Sequence, residues 1–250
     1  MVLDRLHRRW PHLRVIEREP HMRFAAALNL GIRSTTAGRV GILLTDDWLH
    51  PCAVERCLAR DADIVSTGLA MFAADGVTHL EKLSMRRTQA AFDARKAQHE
   101  RAEYLGHFLL FRRSILDAVG GVDESIGDSP GVDDFDMIWC MLDRGATVAV
   151  VEEALYNYRD HPGERLTTRK RDEMMTTFNR ILDKHGVAGP DRELLVEGHS
   201  HWFGKSIQSA YQELQPVETP GSFQPVQALY RRLVPLRVRK AIQARIHRLR

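Results

Sequence analysis

The chain has 250 residues, 44% hydrophobic and 28% charged, enough apolar side chain to bury a core of its own. No run of 18 apolar residues occurs, and MVLDRLHRRW at the N-terminus carries no apolar stretch behind its charges, so neither a membrane span nor a secretory signal is expected and the cytoplasm is the expected address. The formal charge of +3 conceals an asymmetry: eight basic residues and no acidic one follow Glu218, while the first 218 residues hold 28 Lys and Arg against 33 Asp and Glu.

Three cysteines, Cys52, Cys57 and Cys140, form no CxxC pair, which argues against a disulfide framework and a zinc knuckle and leaves them as packing residues. Along the chain, residues 3–10 read as the end of a helix and LRVIER (13–18) as a short β-like run. FAAALNLGIRSTTAG (24–38) is rich in helix formers and ends on Gly38, a natural stop. RVGILLT (39–45) predicts a buried strand that ends on Asp46 and Asp47, so that strand, helix and strand suggest a parallel βαβ unit. A helix is expected over 51–60, a strand over 62–73 with a turn at Asp75-Gly76, and polar helical sequence over 81–103. YLGHFLLFRRSILDAVGG (104–121) predicts a strand and a short helix closed by paired glycines. SPGVDDFDMIWCMLDRGA (129–146) places three acids in the first turns of a helix whose inner face is Met137, Ile138, Met141 and Leu142. ATVAVVEEALYNYR (146–159) reads as a strand, and sequence beyond about Lys170 as mostly helical. There is no internal repeat.

Three places carry chemistry. Asp46-Asp47 can serve as a helix cap, but at a strand end of an α/β sheet two carboxylates also suit a hard divalent cation, Mg²⁺ or Mn²⁺, that holds a diphosphate. Asp133, Asp134 and Asp136 can offset a helix dipole, yet three carboxylates within four residues repel one another, which favours one of them as a base. His161 follows a strand in YNYRDHPGERLT with Arg159 and Arg165 beside it, a setting that fits a metal ligand next to phosphate binders, although an ordinary surface histidine fits as well.

The order ALNLGIRSTTAG, ILLTDDWLHP, LLFRRSILDAVGGVDESI, GVDDFDMIWCMLDRG and LYNYRDH resembles the family-2 glycosyltransferases of the GT-A fold, over roughly residues 10–165. That resemblance implies an α/β fold with a mixed sheet flanked by helices, and inverting transfer of a sugar from a nucleotide-diphosphate donor to a saccharide or lipid-linked acceptor in cell-envelope polysaccharide, glycolipid or glycoprotein synthesis. It matches Asp46 and Asp47 to the metal and donor motif, His161 to a further metal ligand, Asp134 to the catalytic base, and Asn29 and Arg159 to donor binding. Gly120-Gly121 with Asp123-Glu124 match the family's acceptor-side segment. The cofactor implied is Mn²⁺ or Mg²⁺. Departures are Leu44, where many members carry a first aspartate, Asp133, where glutamate is commoner, and Cys140, where arginine is common. The chain is expected to start after the family's base-gripping strand-helix-strand, roughly 50 residues by usual βαβ lengths.

The domain expectation is a GT-A-like unit over 1–168 and a helical extension over 169–250. Its basic amphipathic tail, 231–250, can lie on the acidic body or on an anionic membrane at the inner face. No nucleic-acid partner is expected. Two rival functions are a non-catalytic interaction module of the same fold, and a phosphate-ester hydrolase using the same carboxylates.

Overall fold

The computed structural model describes residues 2–17, 22–106, 108–126, 132–161, 171–203, 205, 207 and 209–210. Arg165 and the basic tail 231–250 lie outside the described residues. In chain order the elements are α1 (Val2–Arg9), α2 (Phe24–Arg33), β1 (Arg39–Gly41), β2 (Trp48–Leu49), α3 (Ala53–Leu58) and β3 (Ile64–Phe72). A 3-10 turn (Glu81–Leu83), α4 (Gln89–Asp93), α5 (Gln98–Leu105), β4 (Leu109–Arg112) and α6 (Arg113–Val119) follow. The rest is α7 (Asp133–Asp143), β5 (Val148–Arg159), α8 (Arg171–Lys184) and α9 (Gly189–Trp202).

The sheet is organised by its central strand. In IVSTGLAMF every residue of β3 except Phe72 is buried, the near-continuous burial of a strand covered on both faces. Strand order is β1-β4-β3-β5-β2. β3 and β5 run parallel, from Ile64 opposite Val148 to Phe72 opposite Arg159, with irregularities around Gly68. The other pairs, β1 with β4, β4 with β3 and β5 with β2, are antiparallel. The result is a mixed α/β sheet flanked by helices, as expected for the fold class.

Two apolar clusters sandwich the sheet. One joins Ile64, Leu109, Phe111 and Val150 to Met137, Ile138, Met141 and Leu142 of α7 and to Met174, Phe178, Ile181 and Leu182 of α8. The other joins Val65, Leu69, Met71, Leu110 and Val151 to Ala53 and Cys57 of α3 and to Tyr156 and Tyr158. Desolvation in this second cluster pushes the Cys57 thiol up to about 11, as suits an inert packing cysteine.

The structure differs locally from the sequence expectations. RVGILLT forms a strand only over Arg39–Gly41, and Leu43 and Leu44 are 47% and 38% exposed. β1 is an edge strand with β4 as its neighbour among the described residues, so the run does not lie inside the sheet. It is also antiparallel to β4, and the parallel pair is β3 with β5 instead. Residues 13–17 form no strand, α2 ends at Ser34 rather than Gly38, and beyond the Asp75-Gly76 turn the pairing with β3 is limited to isolated bridges.

Polar ties fix the helices to one another. The amide of buried Asn29 receives a hydrogen bond from Val122 N at 2.9 Å and donates to Val122 O and Glu124 Oε1, both at 2.8 Å. That contact needs Gly121, whose φ is +79° and where a Cβ would collide with Asn29 Oδ1. Lys184 Nζ donates to Asp123 and Asp136, both at 2.8 Å, tying the loop after α6 to α7 and α8.

Desolvation pushes the Asp123 carboxyl up, but hydrogen bonds from Lys184 and Ser125 outweigh it and hold the group at about 2. A depressed folded value stabilises the fold above the ordinary carboxylate pKa, about 3.9, and that contribution disappears as the pH falls through about 2. Asp123→Asn is expected to flatten the acid limb of the stability curve between about pH 4 and pH 2, read by urea unfolding at a series of pH values. An acid limb of unchanged slope would show that the pair adds no stability.

Candidate active site

The C-terminal ends of the parallel strands β3 and β5 lie together, with Phe72 opposite Arg159 and Asp160 N donating to Phe72 O at 2.8 Å. Strand ends of this kind are where α/β sheets place ligands. β2 pairs Trp48 with Asn157 and Leu49 with Tyr156, which sets the two residues just before it, Asp46 and Asp47, at the same edge. Residues more than a hundred positions apart thereby meet.

Asp47 is 8% exposed and accepts the phenol hydrogen of Tyr156 on one oxygen and Arg159 N, at 2.9 Å, on the other. Burial, and then the neighbouring Asp47 carboxylate, raise the Tyr156 pKa, so the phenol remains a donor. Asp46 points the other way: its Oδ2 is 3.3 Å from His161 Nε2, and the two side chains are 34% and 27% exposed. Asp47 holds the loop down, and Asp46 and His161 present an oxygen and a nitrogen donor at the surface.

Arg159 lies beside this pair. Its guanidinium sits 5.5 Å from the Trp48 ring and packs against the turn at Gly76, where a Cβ would meet Nη2 at 2.9 Å. Trp48 in turn packs on Phe72, ring centres 4.9 Å apart. A cationic side chain and a partly exposed indole thus pack together at the ends of β2, β3 and β5.

Asp134 is the second residue of α7, whose chain continues into the start of β5. Its 11 residues span about 16 Å, so Asp134 stands at the end of the helix away from its connection to β5. Desolvation raises the pKa of Asp134, against a hydrogen bond from Phe135 N at 3.0 Å. Asp133 and Asp136 are fully buried. Asn29 stands elsewhere, with its amide spent on Val122 and Glu124, in the wall of a cavity of about 450 Å³ that also borders Arg33, Asp123, Asp136, Cys140 and Lys184.

Sequence reasoning did not single out Tyr156, Trp48 or His185. Tyr156 and Trp48 lie inside LYNYRDH and ILLTDDWLHP but read as ordinary packing residues, and no spacing signal marks His185.

The site is thus a set of acidic and imidazole side chains at the ends of the parallel strands of a mixed α/β sheet. Among solved structures, the chain is similar to the mannosyltransferase PcManGT from Pyrobaculum calidifontis in complex with GDP-Man and Mn²⁺, with a TM-score of 0.50 and 17% identity. The match covers 92% of this chain and 65% of that one, so the chain spans less than two thirds of its neighbour's length. At that identity the likeness establishes the fold. No protein-family model matches the chain, and no curated protein matches it. No helix among the described residues is long and apolar enough to cross a membrane.

Tyr156→Phe leaves the Asp47 carboxylate buried with one donor fewer, which is expected to cost about 1–3 kcal/mol. Chemical denaturation of the two proteins measures it. A loss below about 0.5 kcal/mol, the range of ordinary surface changes, would mean that this contact does not anchor the loop.

Proposed function

We propose that the chain is a metal-dependent glycosyltransferase that moves a sugar from a nucleotide-diphosphate donor to an acceptor hydroxyl with inversion. The observation that carries this is the pairing of Asp46 with His161 at the shared end of β3 and β5, on a fold similar to that of a nucleotide-sugar-binding transferase. The site lies within residues 1–168, and α8 and α9 fall beyond that boundary.

A mixed oxygen and nitrogen donor pair suits Mn²⁺ better than Mg²⁺, which prefers an all-oxygen shell. Asp46 and His161 would hold the ion, with Asp47 orienting both through Tyr156 and the Arg159 backbone. Bound there, the cation supplies positive charge against the leaving diphosphate. Arg159 adds a fixed cation on the same side. Asp134, whose carboxyl binds a proton more readily than an exposed aspartate, accepts the acceptor's hydroxyl proton as that oxygen attacks the anomeric carbon from the opposite face, which inverts the centre. Base and metal must stand on different sides of the sugar, and the position of Asp134 on a separate helix supports that division of labour.

Calorimetric titration of Mn²⁺ in the presence of a nucleoside diphosphate should show binding that Asp46→Ala abolishes and His161→Ala weakens. Equal affinity in all three proteins removes the site. No diphosphate binding under any condition favours the interaction-module reading.

Asp134→Asn should leave that binding nearly unchanged and lower sugar transfer by about 100-fold or more, the usual scale for a positioned base. Transfer at the parent rate would take the base role away from Asp134.

A further inference from the structure

We propose that Asp136, Cys140 and His185 form a second metal site, for a zinc-class divalent cation, that clasps α7 to the end of α8. The proposal does not rest on the transfer reading. The three residues are brought together by the fold: Asp136 and Cys140 are four apart on one face of α7, and His185 follows the last residue of α8. Asp136 Oδ1 lies 3.0 Å from His185 Nε2 and 3.9 Å from Cys140 Sγ, and Sγ lies 4.0 Å from Nε2. Tetrahedral zinc, with oxygen and nitrogen at about 2.0–2.1 Å and sulfur at about 2.3 Å, needs donor atoms about 3.3–3.6 Å apart. Shifts of a few tenths of an ångström bring the three donors to that spacing.

The surrounding groups orient these donors as a metal site requires. His185 Nδ1 is 3.1 Å from Asp143 Oδ2, the carboxylate partner that fixes a ligating imidazole and turns its Nε2 toward the ion. The His185 ring stacks on Trp139, ring centres 3.9 Å apart and planes within 8°, which fixes its plane and dries one side of the site. Lys184 Nζ occupies the other oxygen of Asp136, at 2.8 Å, and leaves Oδ1 to face His185 and Cys140. The side chains of Asp136 and His185 are little exposed, 1% and 6%, and Cys140 is half-buried. In the protein as it stands His185 bridges two carboxylates, Asp136 and Asp143; an ion would take the Nε2 side of that bridge.

The donor set selects the metal. A thiolate, an imidazole and one carboxylate suit Zn²⁺ and discriminate against Mg²⁺ and Mn²⁺, which favour oxygen. The fourth position opens on the cavity of about 450 Å³ that Asp136 and Cys140 both line, and water or a small ligand can occupy it. This site is distinct from Asp46 and His161. It lies against the α7–α8 cluster of one sheet face, whereas Asp47 is held by Tyr156 of the opposite cluster.

Titration of the reduced full chain with Co²⁺, a spectroscopic substitute for zinc, tests the proposal through the thiolate-to-cobalt absorption band. The band is expected in the parent and in Cys52→Ser, absent in Cys140→Ser, and bleached by stoichiometric Zn²⁺. Cys52 is the control because its sulfur also lies near an imidazole, 3.1 Å from His50 Nδ1. Asp143→Asn should lower zinc affinity about 10- to 100-fold, the scale for a lost outer partner, while circular dichroism reports that the fold is kept. A parent that gives no band, or a band that survives in Cys140→Ser, overturns the proposal. These readouts do not involve sugar transfer, so an inactive protein with the band and an active one without it are separable results.

Discussion

A carboxylate taken out of water must be satisfied, and Asp47 is the group on which the candidate site depends. Its two oxygens bind a phenol hydrogen from within β5 and a backbone N–H at the end of the same strand. Those bonds fix the short β2 strand and the loop before it against β5, and so decide where Asp46 faces. Had Asp46 and Asp47 both turned to solvent, the loop would have had no buried anchor and the spacing from Asp46 to His161 no cause. One aspartate of an adjacent pair is used to position the other, which separates the structural and chemical uses of a single motif.

The second constraint is the parallel pairing of β3 and β5. Parallel strands share a direction, so their C-terminal ends coincide and everything that follows them is delivered to one edge. Arg159 and His161 arrive there by continuing β5, and Trp48 by pairing with it. α7 is fastened in the core through Met141 and Leu142 and carries its acidic first turn at the opposite end of the helix. Burial of the helix and elevation of the Asp134 pKa therefore have one origin, the packing that removes water from the helix face.

Much of this could be read from residues in order. The period of Met137, Ile138, Met141 and Leu142 predicts the buried face of α7, and all four are buried. The paired glycines after α6 predict a stop, and Gly120 takes the left-handed conformation there. What pattern alone could not convey is neighbourhood. An apolar run such as GILL has the same composition whether it enters a sheet or runs along its edge, and only the pairing partners decide that Leu43 and Leu44 are exposed. Asn29 is similar: its segment suggests donor contact, and nothing in the pattern signals that Val122 and Glu124, from a loop some ninety residues later, take both hydrogens of its amide and one bond to its oxygen.

The same limit explains why the Asp136, Cys140 and His185 cluster leaves no trace in the sequence. Two of its donors sit four apart on a helix, a spacing shared by countless ordinary helix faces, and the third is 49 residues from Asp136. Its chemistry is also opposite to that of the strand-end site. Asp46 and His161 are a third exposed and offer nothing softer than imidazole, whereas the cluster is walled by Trp139 and holds a thiol. Hard and soft ions would therefore partition between the two without competition, one at the moving edge of a reaction and one at a fixed joint between helices. Asp136 is two residues from Asp134, on the other side of the same helical turn, so a clasp at α7 and α8 would also hold the backbone from which Asp134 projects. Rigidity of that helix is what a positioned base requires, because an error of about an ångström in the reach of a carboxylate costs orders of magnitude in rate.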